Sequence, residues 1–180
     1  MVSPTRVVPY QSLWPRDFRS IAAQLRPVLA GIPHCIEHVG STSVPGLAAK
    51  PIIDLDVVVP SAALVQDAIA ALAAAGCVHQ GDLGIAGQEA FEVLPGLPHH
   101  HLYVVVAGTL PHRNHIDFRD FLRSHPVEAA RYAALKLELA HLLGTDRPQY
   151  GARKSTMVHD LLAQARAGAS NQPAAVTAGA

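Results

Sequence analysis

His38-Val39-Gly40-Ser41-Thr42-Ser43-Val44-Pro45-Gly46-Leu47-Ala48-Ala49-Lys50-Pro51-Ile52-Ile53-Asp54-Leu55-Asp56 is the stretch that decides the fold. It joins two β-prone runs. Cys35 to Val39 delivers the chain into a tight turn at Gly40, and Ile52 to Val59 is apolar with Asp at alternate positions. Side chains alternate across a strand, so Asp54 and Asp56 share one face. Two carboxylates so close in an apolar strand are costly unless a cation neutralises them. A hard divalent ion, Mg²⁺ or Mn²⁺, does so through one or two carboxylates and leaves its other positions to water and substrate phosphates. The turn Gly40-Ser41-Thr42 adds backbone N–H groups with little obstruction and two hydroxyls, a setting that receives phosphate.

Working outward, Pro15 to Ala30 places Phe18, Ile21, Ala22, Leu25 and Leu29 on one helical stripe, with Pro15 in the first turn and Gly31 as the stop. Before it, an extended segment ends near Tyr10. Ser61 reads as the N-cap of a helix that runs through Leu64, Ala68, Ile69 and Leu72 to Gly76. Gly81 to Gly87 is a glycine-punctuated loop. Phe91 to Leu94 and Leu102 to Val106 read as strands around a Pro-Gly-Leu-Pro turn. Helices follow from His115 to Pro126, from Ala129 to Leu143 and from Thr156 to Ala165, with Phe118 and Phe121 as core residues. The order of elements makes the chain α/β.

At 180 residues, 49% hydrophobic and 16% charged, the chain suits one folded domain over residues 1–166. Its closing residues 167–180, rich in Ala, Gly, Ser and Pro, are expected to be a disordered tail. Fourteen basic and fourteen acidic residues leave no net positive field, so long nucleic acids are not expected partners. Cys35 and Cys77 are far apart and lack a Cys-x-x-Cys setting, so both are expected to be reduced core thiols. With no signal-peptide pattern and no apolar run of about 18 residues, no membrane association is expected and a cytoplasmic protein is the default.

Gly-Ser followed by Asp-x-Asp resembles the signature of the nucleotidyltransferase superfamily. The longer string closely resembles the GrpB family of bacterial proteins, together with Gly81-Asp82-Leu83-Gly84-Ile85, His100-His101-Leu102, Phe118-Arg119-Asp120-Phe121-Leu122-Arg123-Ser124-His125-Pro126, and Tyr132, Lys136, Tyr150 and Lys154. The resemblance covers nearly the whole chain. It implies an α/β (α+β) fold of nucleotidyltransferase type, a mixed sheet flanked by helices with additional C-terminal helices. It also implies metal-dependent transfer of a nucleoside monophosphate from a nucleoside triphosphate to an unknown acceptor, with pyrophosphate leaving. Asp54 and Asp56 would then hold the metal, and Gly40 and Ser41 the triphosphate, the protein supplying position and charge neutralisation. Related domains occur fused to dephospho-coenzyme A kinase, so a nucleotide or coenzyme is the expected small-molecule ligand.

The chain departs from that pattern on the neighbouring strand. Two-metal transfer calls for a third carboxylate there, yet His99 to Val105 holds neither Asp nor Glu, and His101 or Tyr103 takes the equivalent face. Beside Asp54 and Asp56, His101 is therefore the third candidate catalytic and metal-ligating residue, and an imidazole suits Zn²⁺ better than Mg²⁺. Two alternatives follow: a domain that binds a nucleotide or coenzyme without turnover, and a His/Asp metal-dependent phosphohydrolase. Lys50 is a candidate for phosphate, for the aspartates, or for solvent, and His38 for the site face or the packing beneath it. Arg119 is the leading phosphate candidate of its helix, with an ion pair to Asp120 as the alternative. Arg147, Tyr150 and Lys154, before or at the start of the last helix, are candidates for a basic edge that closes over a nucleotide. His112, His115 and Asp117 are not read as a metal site, because His115 and Asp117 face apart on a helix and Arg113 opposes a dication. Ser41 lacks the Gly-x-Ser-x-Gly setting of a nucleophile.

Overall fold

A computed structural model describes residues 6–92 and 94–170. Its centre is the second strand of a five-stranded sheet. The strands are β1 (Cys35–Val39), β2 (Ile53–Val59), β3 (His79–Gly81), β4 (Gln88–Phe91) and β5 (His100–Val106), in the spatial order β1-β2-β5-β4-β3. Only β2 and β5 pair in parallel; the other neighbours are antiparallel. The sheet is therefore mixed, and its parallel pair is the one that carries the carboxylates.

Alternation along β2 divides the molecule. Ile53, Leu55, Val57 and Val59 face one way and pack with Leu102 and Val104 of β5. Against them lie α1 (Trp14–Val28), through Ile21 and Leu25, and α2 (Val65–Ala74), through Ala68 and Leu72. Each fully buried aliphatic side chain here contributes about 1.5–3 kcal/mol, which fixes the strand's register. The register turns Asp54 and Asp56 to the other face, where the later helices lie: α3 (Leu110–Ser124), α4 (Pro126–Glu138) and α5 (Arg147–Ser170). Phe118, Leu122, Tyr132, Leu161 and Leu162 from these helices close a second core over Val44 and Leu47 of the 38–56 stretch. The long turn is thereby clamped between sheet and helices.

Several elements differ from the sequence reading. The strand expected at Phe91–Leu94 is instead Gln88–Phe91, because beyond Phe91 the chain leaves the ladder and the Leu94 N–H donates to the His100 ring at 3.3 Å. The three-residue edge strand β3 carries no apolar run and was not foreseen. Ser61 makes no side-chain cap; a 3₁₀ turn at Ala62–Leu64 precedes α2. Helix α3 starts five residues before His115, with Pro111 in its first turn. Helix α4 starts at Pro126, three residues earlier than expected, and Leu139–Leu143 form a 3₁₀ turn. The last helix starts at Arg147, nine residues early, where the Asp146 carboxylate accepts from the Gln149 N–H at 3.0 Å. Of the expected tail, residues 167–170 continue α5, and 171–180 lie outside the described residues. Both cysteines are free thiols, but Cys35 is exposed at the start of an edge strand, so only Cys77 belongs to the core.

Candidate functional site

The parallel register sets Asp54 opposite His101 and Asp56 opposite Tyr103. On the other side, β1 sets Val39 opposite Asp54 and Glu37 opposite Asp56. Each carboxylate has acquired an imidazole. His101 Nδ1 lies 2.8 Å from Asp54 Oδ1, and His115 Nδ1, reaching down from α3, lies 2.8 Å from Asp56 Oδ2. The Asp56 side chain is fully buried, whereas that of Asp54 keeps 29% of its surface open. Burial alone would raise the Asp54 carboxyl, but the hydrogen bond and charge of His101, with the charges of Lys154 and His115, outweigh it and hold the group anionic below the usual range. Burial likewise opposes the imidazolium of His115, yet the bond to Asp56 and the charges of both aspartates leave it raised.

The Gly40 turn is built against Asp54. Gly40 has φ +68°, and a Cβ there would stand 2.2 Å from Asp54 Oδ2. Only glycine lets the turn approach the carboxylate so closely. Beneath the turn, the Thr42 hydroxyl donates to the Ile52 carbonyl and accepts from His38 Nε2, both at 3.1 Å. His38 stacks on Phe18, and burial lowers it to about 4, so its ring is neutral and packs under the turn. Arg123 donates twice to the Ser43 carbonyl, at 2.8 and 3.1 Å. Thr42, His38 and Arg123 thus hold the turn, and the Ser41 hydroxyl meets Lys136 in the cleft.

Ser41 Oγ accepts from Lys136 Nζ at 3.0 Å. Lys136 is 3% exposed and sits over the Tyr132 ring, 4.4 Å from its centroid. Burial, with a smaller push from Lys154, lowers its ammonium to about 7. Ser41, Asp54, His101, Lys50, Lys136 and Lys154 surround a cavity of about 260 Å³, to which Tyr103, Tyr132 and Tyr150 add their rings. Burial and the nearby Lys154 and Arg147 lower Lys50 as well. A second chamber of about 380 Å³ adjoins the first at Ser41, Asp54, Tyr103, Tyr132 and Lys154 and runs between α3 and α5.

Of the residues singled out from sequence, Asp54, His101, Gly40, Ser41, Thr42 and Lys50 line this pair of cavities, and Asp56 lies beneath them against His115. Arg119 lies elsewhere. Its guanidinium bonds Glu37 at 2.7 Å, Asp120 at 2.7 Å and the His38 carbonyl at 3.2 Å, and it lines neither cavity. The same ion pair engages the one carboxylate, Glu37, that stands opposite Asp56. His115 joins the site through Asp56 rather than with His112 and Asp117; the 59 positions between them in sequence left no spacing to read. Lys136 was legible only through the family resemblance, since its partner Ser41 is 95 residues away.

A family profile described as GrpB protein matches residues 4–164. The chain belongs to the GrpB family. The crystal structure of the conserved protein GrpB from Enterococcus faecalis superposes with a TM-score of 0.74 at 31% identity, over 88% of this chain and 98% of that one. The UPF0157 protein YqkA of Bacillus subtilis is 36% identical over 134 residues, which are 74% of this chain but 39% of that protein's length. Beyond the family, the Cid1 poly(U) polymerase bound to MgATP shares the fold, with a TM-score of 0.52 at 17% identity over 74% of this chain and 43% of that one. This GrpB chain therefore has a nucleotidyltransferase-like fold. Among the described residues, no helix is long and apolar enough to cross a membrane.

A divalent metal can be tested against the donors present. His101 occupies Asp54 Oδ1 and leaves Oδ2 beside the Gly40 turn. A phosphate on that turn would bring its charge against Asp54, and a cation between them removes the repulsion. The imidazoles hydrogen-bond the carboxylates from outside, the arrangement that orients ligating groups. Among the described residues, no three His, Cys, Asp or Glu side chains form a ready cage. That donor set suits an ion that keeps water and phosphate oxygens, as Mg²⁺ and Mn²⁺ do, more than the closed site of a structural Zn²⁺.

Proposed function

We propose that this GrpB domain binds a nucleoside triphosphate with a divalent metal and transfers the nucleoside monophosphate to an acceptor. The observation that carries the reading is the meeting of three features: the Asp54–Asp56 pair, the glycine turn pressed against Asp54 Oδ2, and Lys136 held on Ser41. Asp54, through the Oδ2 beside the Gly40 turn, would hold the metal, with Asp56 buried behind it against His115 as supporting charge. The metal would supply charge neutralisation for the triphosphate and its leaving pyrophosphate. Lys136 meets the phosphates through the Ser41 side of the cavity, and its low proton affinity rises when an anion arrives. Lys154 and Lys50 flank the same cavity and balance the remaining phosphate charge. His101 and His115 orient the two carboxylates. Tyr103, Tyr132 and Tyr150 wall the cavity and limit water around the reacting groups.

The test is to incubate the protein with each of the four nucleoside triphosphates and Mg²⁺ or Mn²⁺ and to measure pyrophosphate release and label transfer. Metal-dependent release that Asp54→Asn abolishes is expected. A second reading, nucleotide or coenzyme binding without turnover, is favoured by one specific observation: His101 and Tyr103 stand where a third carboxylate would, and Glu37 is held by Arg119. Tight binding without pyrophosphate release would select it.

A further inference from the structure

We infer that the chamber between α3 and α5 receives the acceptor, and that the acceptor is a small uncharged organic alcohol rather than a nucleic acid strand or a protein. The inference rests on the transfer reading above and names the substrate class that the same site takes.

The two cavities differ in chemistry. The first is lined by three lysines. The second shares Lys154 with it, has no arginine in its lining, and is walled by Val39, Ile85, Phe118, Val158 and Leu162. Its volume, about 380 Å³, falls in the range that encloses small organic molecules. A nucleic acid strand is gripped by a cationic groove and by exposed aromatic platforms. Here four aliphatic side chains, Val39, Ile85, Val158 and Leu162, share the wall with the rings of Tyr103, Phe118 and Tyr132, and Phe118 is engaged edge-on by Tyr132, at 5.4 Å and 84°, in the second core. Those surfaces suit an apolar body of limited size.

The polar groups of the chamber lie where a hydroxyl needs them. Asn114, His115 and His159 project from the two helices into the chamber. The Asn114 side-chain oxygen accepts from Arg166, which leaves its amide N–H groups to donate. The chamber opens onto the phosphate cavity at Ser41, Asp54 and Tyr103, so an alcohol in it presents its oxygen to the α-phosphate side. Ile85 forms the outer wall; it is 50% exposed and sits in the loop whose glycines at 81, 84 and 87 all adopt positive φ. In the transfer, the alcohol oxygen bonds to the α-phosphorus and the bond from that phosphorus to the pyrophosphate oxygen breaks. The electron pair leaves with pyrophosphate, and the hydroxyl proton passes to water.

The probes are 2-phenylethanol and cyclohexanol, followed by saturation-transfer NMR on the full chain with ATP and Mg²⁺. Saturable binding is expected, weakened at least tenfold by Val158→Trp, which fills the chamber. Ile85→Trp, at a half-exposed position that spares the core, should weaken it similarly by covering the mouth. Absence of probe binding, or binding that neither variant changes, overturns the inference, as does a 15-nucleotide single-stranded RNA that binds and is extended. Calorimetry with ATP on the same samples separates the two layers. ATP binding without probe binding removes the acceptor chamber alone, whereas probe binding without ATP binding removes the transfer reading and the acceptor role with it.

Discussion

Replacing Lys136 by Met should stabilise the nucleotide-free protein and weaken its hold on phosphate, with a pH signature that identifies the cause. The buried ammonium titrates at about 7 instead of 10.5. At about 1.4 kcal/mol for each pH unit between those values, keeping the charge inside the fold costs about 5 kcal/mol below pH 7. The hydrogen bond to Ser41 and the contact with Tyr132 return roughly 1–3 kcal/mol, so Lys136→Met should gain about 2–4 kcal/mol at pH 6. The sign of the pH dependence follows from proton counting. Between pH 7 and 10.5 the unfolded chain binds more protons at this lysine than the folded one, so stability rises with pH across that window. From pH 6 to pH 9 this group alone should raise wild-type stability by about 3 kcal/mol, and the variant should lack that rise. Phosphate inverts the effect: an anion beside Ser41 favours the ammonium, so the variant should lose about 10- to 100-fold in nucleotide affinity. Urea denaturation at pH 6 and 9, with and without ATP, reads all four quantities. Parallel pH profiles for wild type and variant would refute the assignment of a buried, readily deprotonated lysine.

Gly40→Ala should destabilise the fold by about 2–4 kcal/mol, because the added methyl meets Asp54 Oδ2 at 2.2 Å and the backbone is held at φ +68°; chemical denaturation measures it, and a change under 0.5 kcal/mol would contradict the packing. Arg119→Ala should cost about 1–3 kcal/mol in stability through Glu37, Asp120 and the His38 carbonyl, while calorimetry finds ATP affinity within about threefold of wild type. A large loss of affinity at unchanged stability would return Arg119 to the phosphate. His115→Gln should remove about 1–3 kcal/mol at pH 5. Since the folded imidazole value is raised, its contribution is complete below the unfolded value of 6.5 and fades as pH climbs through the folded one. Melting curves from pH 5 to 9 should therefore converge at the alkaline end, and divergence there would be evidence against the Asp56–His115 pair.

Local chemistry made the centre of this fold readable. Alternating aspartates in an apolar run mark one strand face without any knowledge of partners, and Gly40 announces a turn that no side chain tolerates. The same logic brought His101 or Tyr103 to the face of the aspartates, because the absence of Asp and Glu in His99–Val105 is itself a local fact; which of the two meets Asp54 is set by the strand register. What escaped depended on distance. His115 reaches Asp56 only because α3 crosses the sheet, and Lys136 reaches Ser41 only because α4 folds back over the turn. Arg119 was readable as a cation but not as the partner of Glu37, since the crossing of α3 over β1 decides which acid it meets. The early start of α5 is a different case. The sequence placed its start at Thr156, but the Asp146 cap and the packing of Tyr150, Leu161 and Leu162 carry the helix through Gly151 and override the modest cost of one helical glycine. That override carries Tyr150 and Lys154 on a rigid helix into the cavity wall.

The most direct measurement is a calorimetric titration of each nucleoside triphosphate into wild type and Asp54→Asn, with Mg²⁺ or Mn²⁺ and again with excess chelator. Binding to the wild type that needs the metal and disappears in Asp54→Asn is the predicted result. Equal binding with and without metal, or no binding by the wild type under any of these conditions, would contradict the assignment of the Gly40–Asp54 cleft.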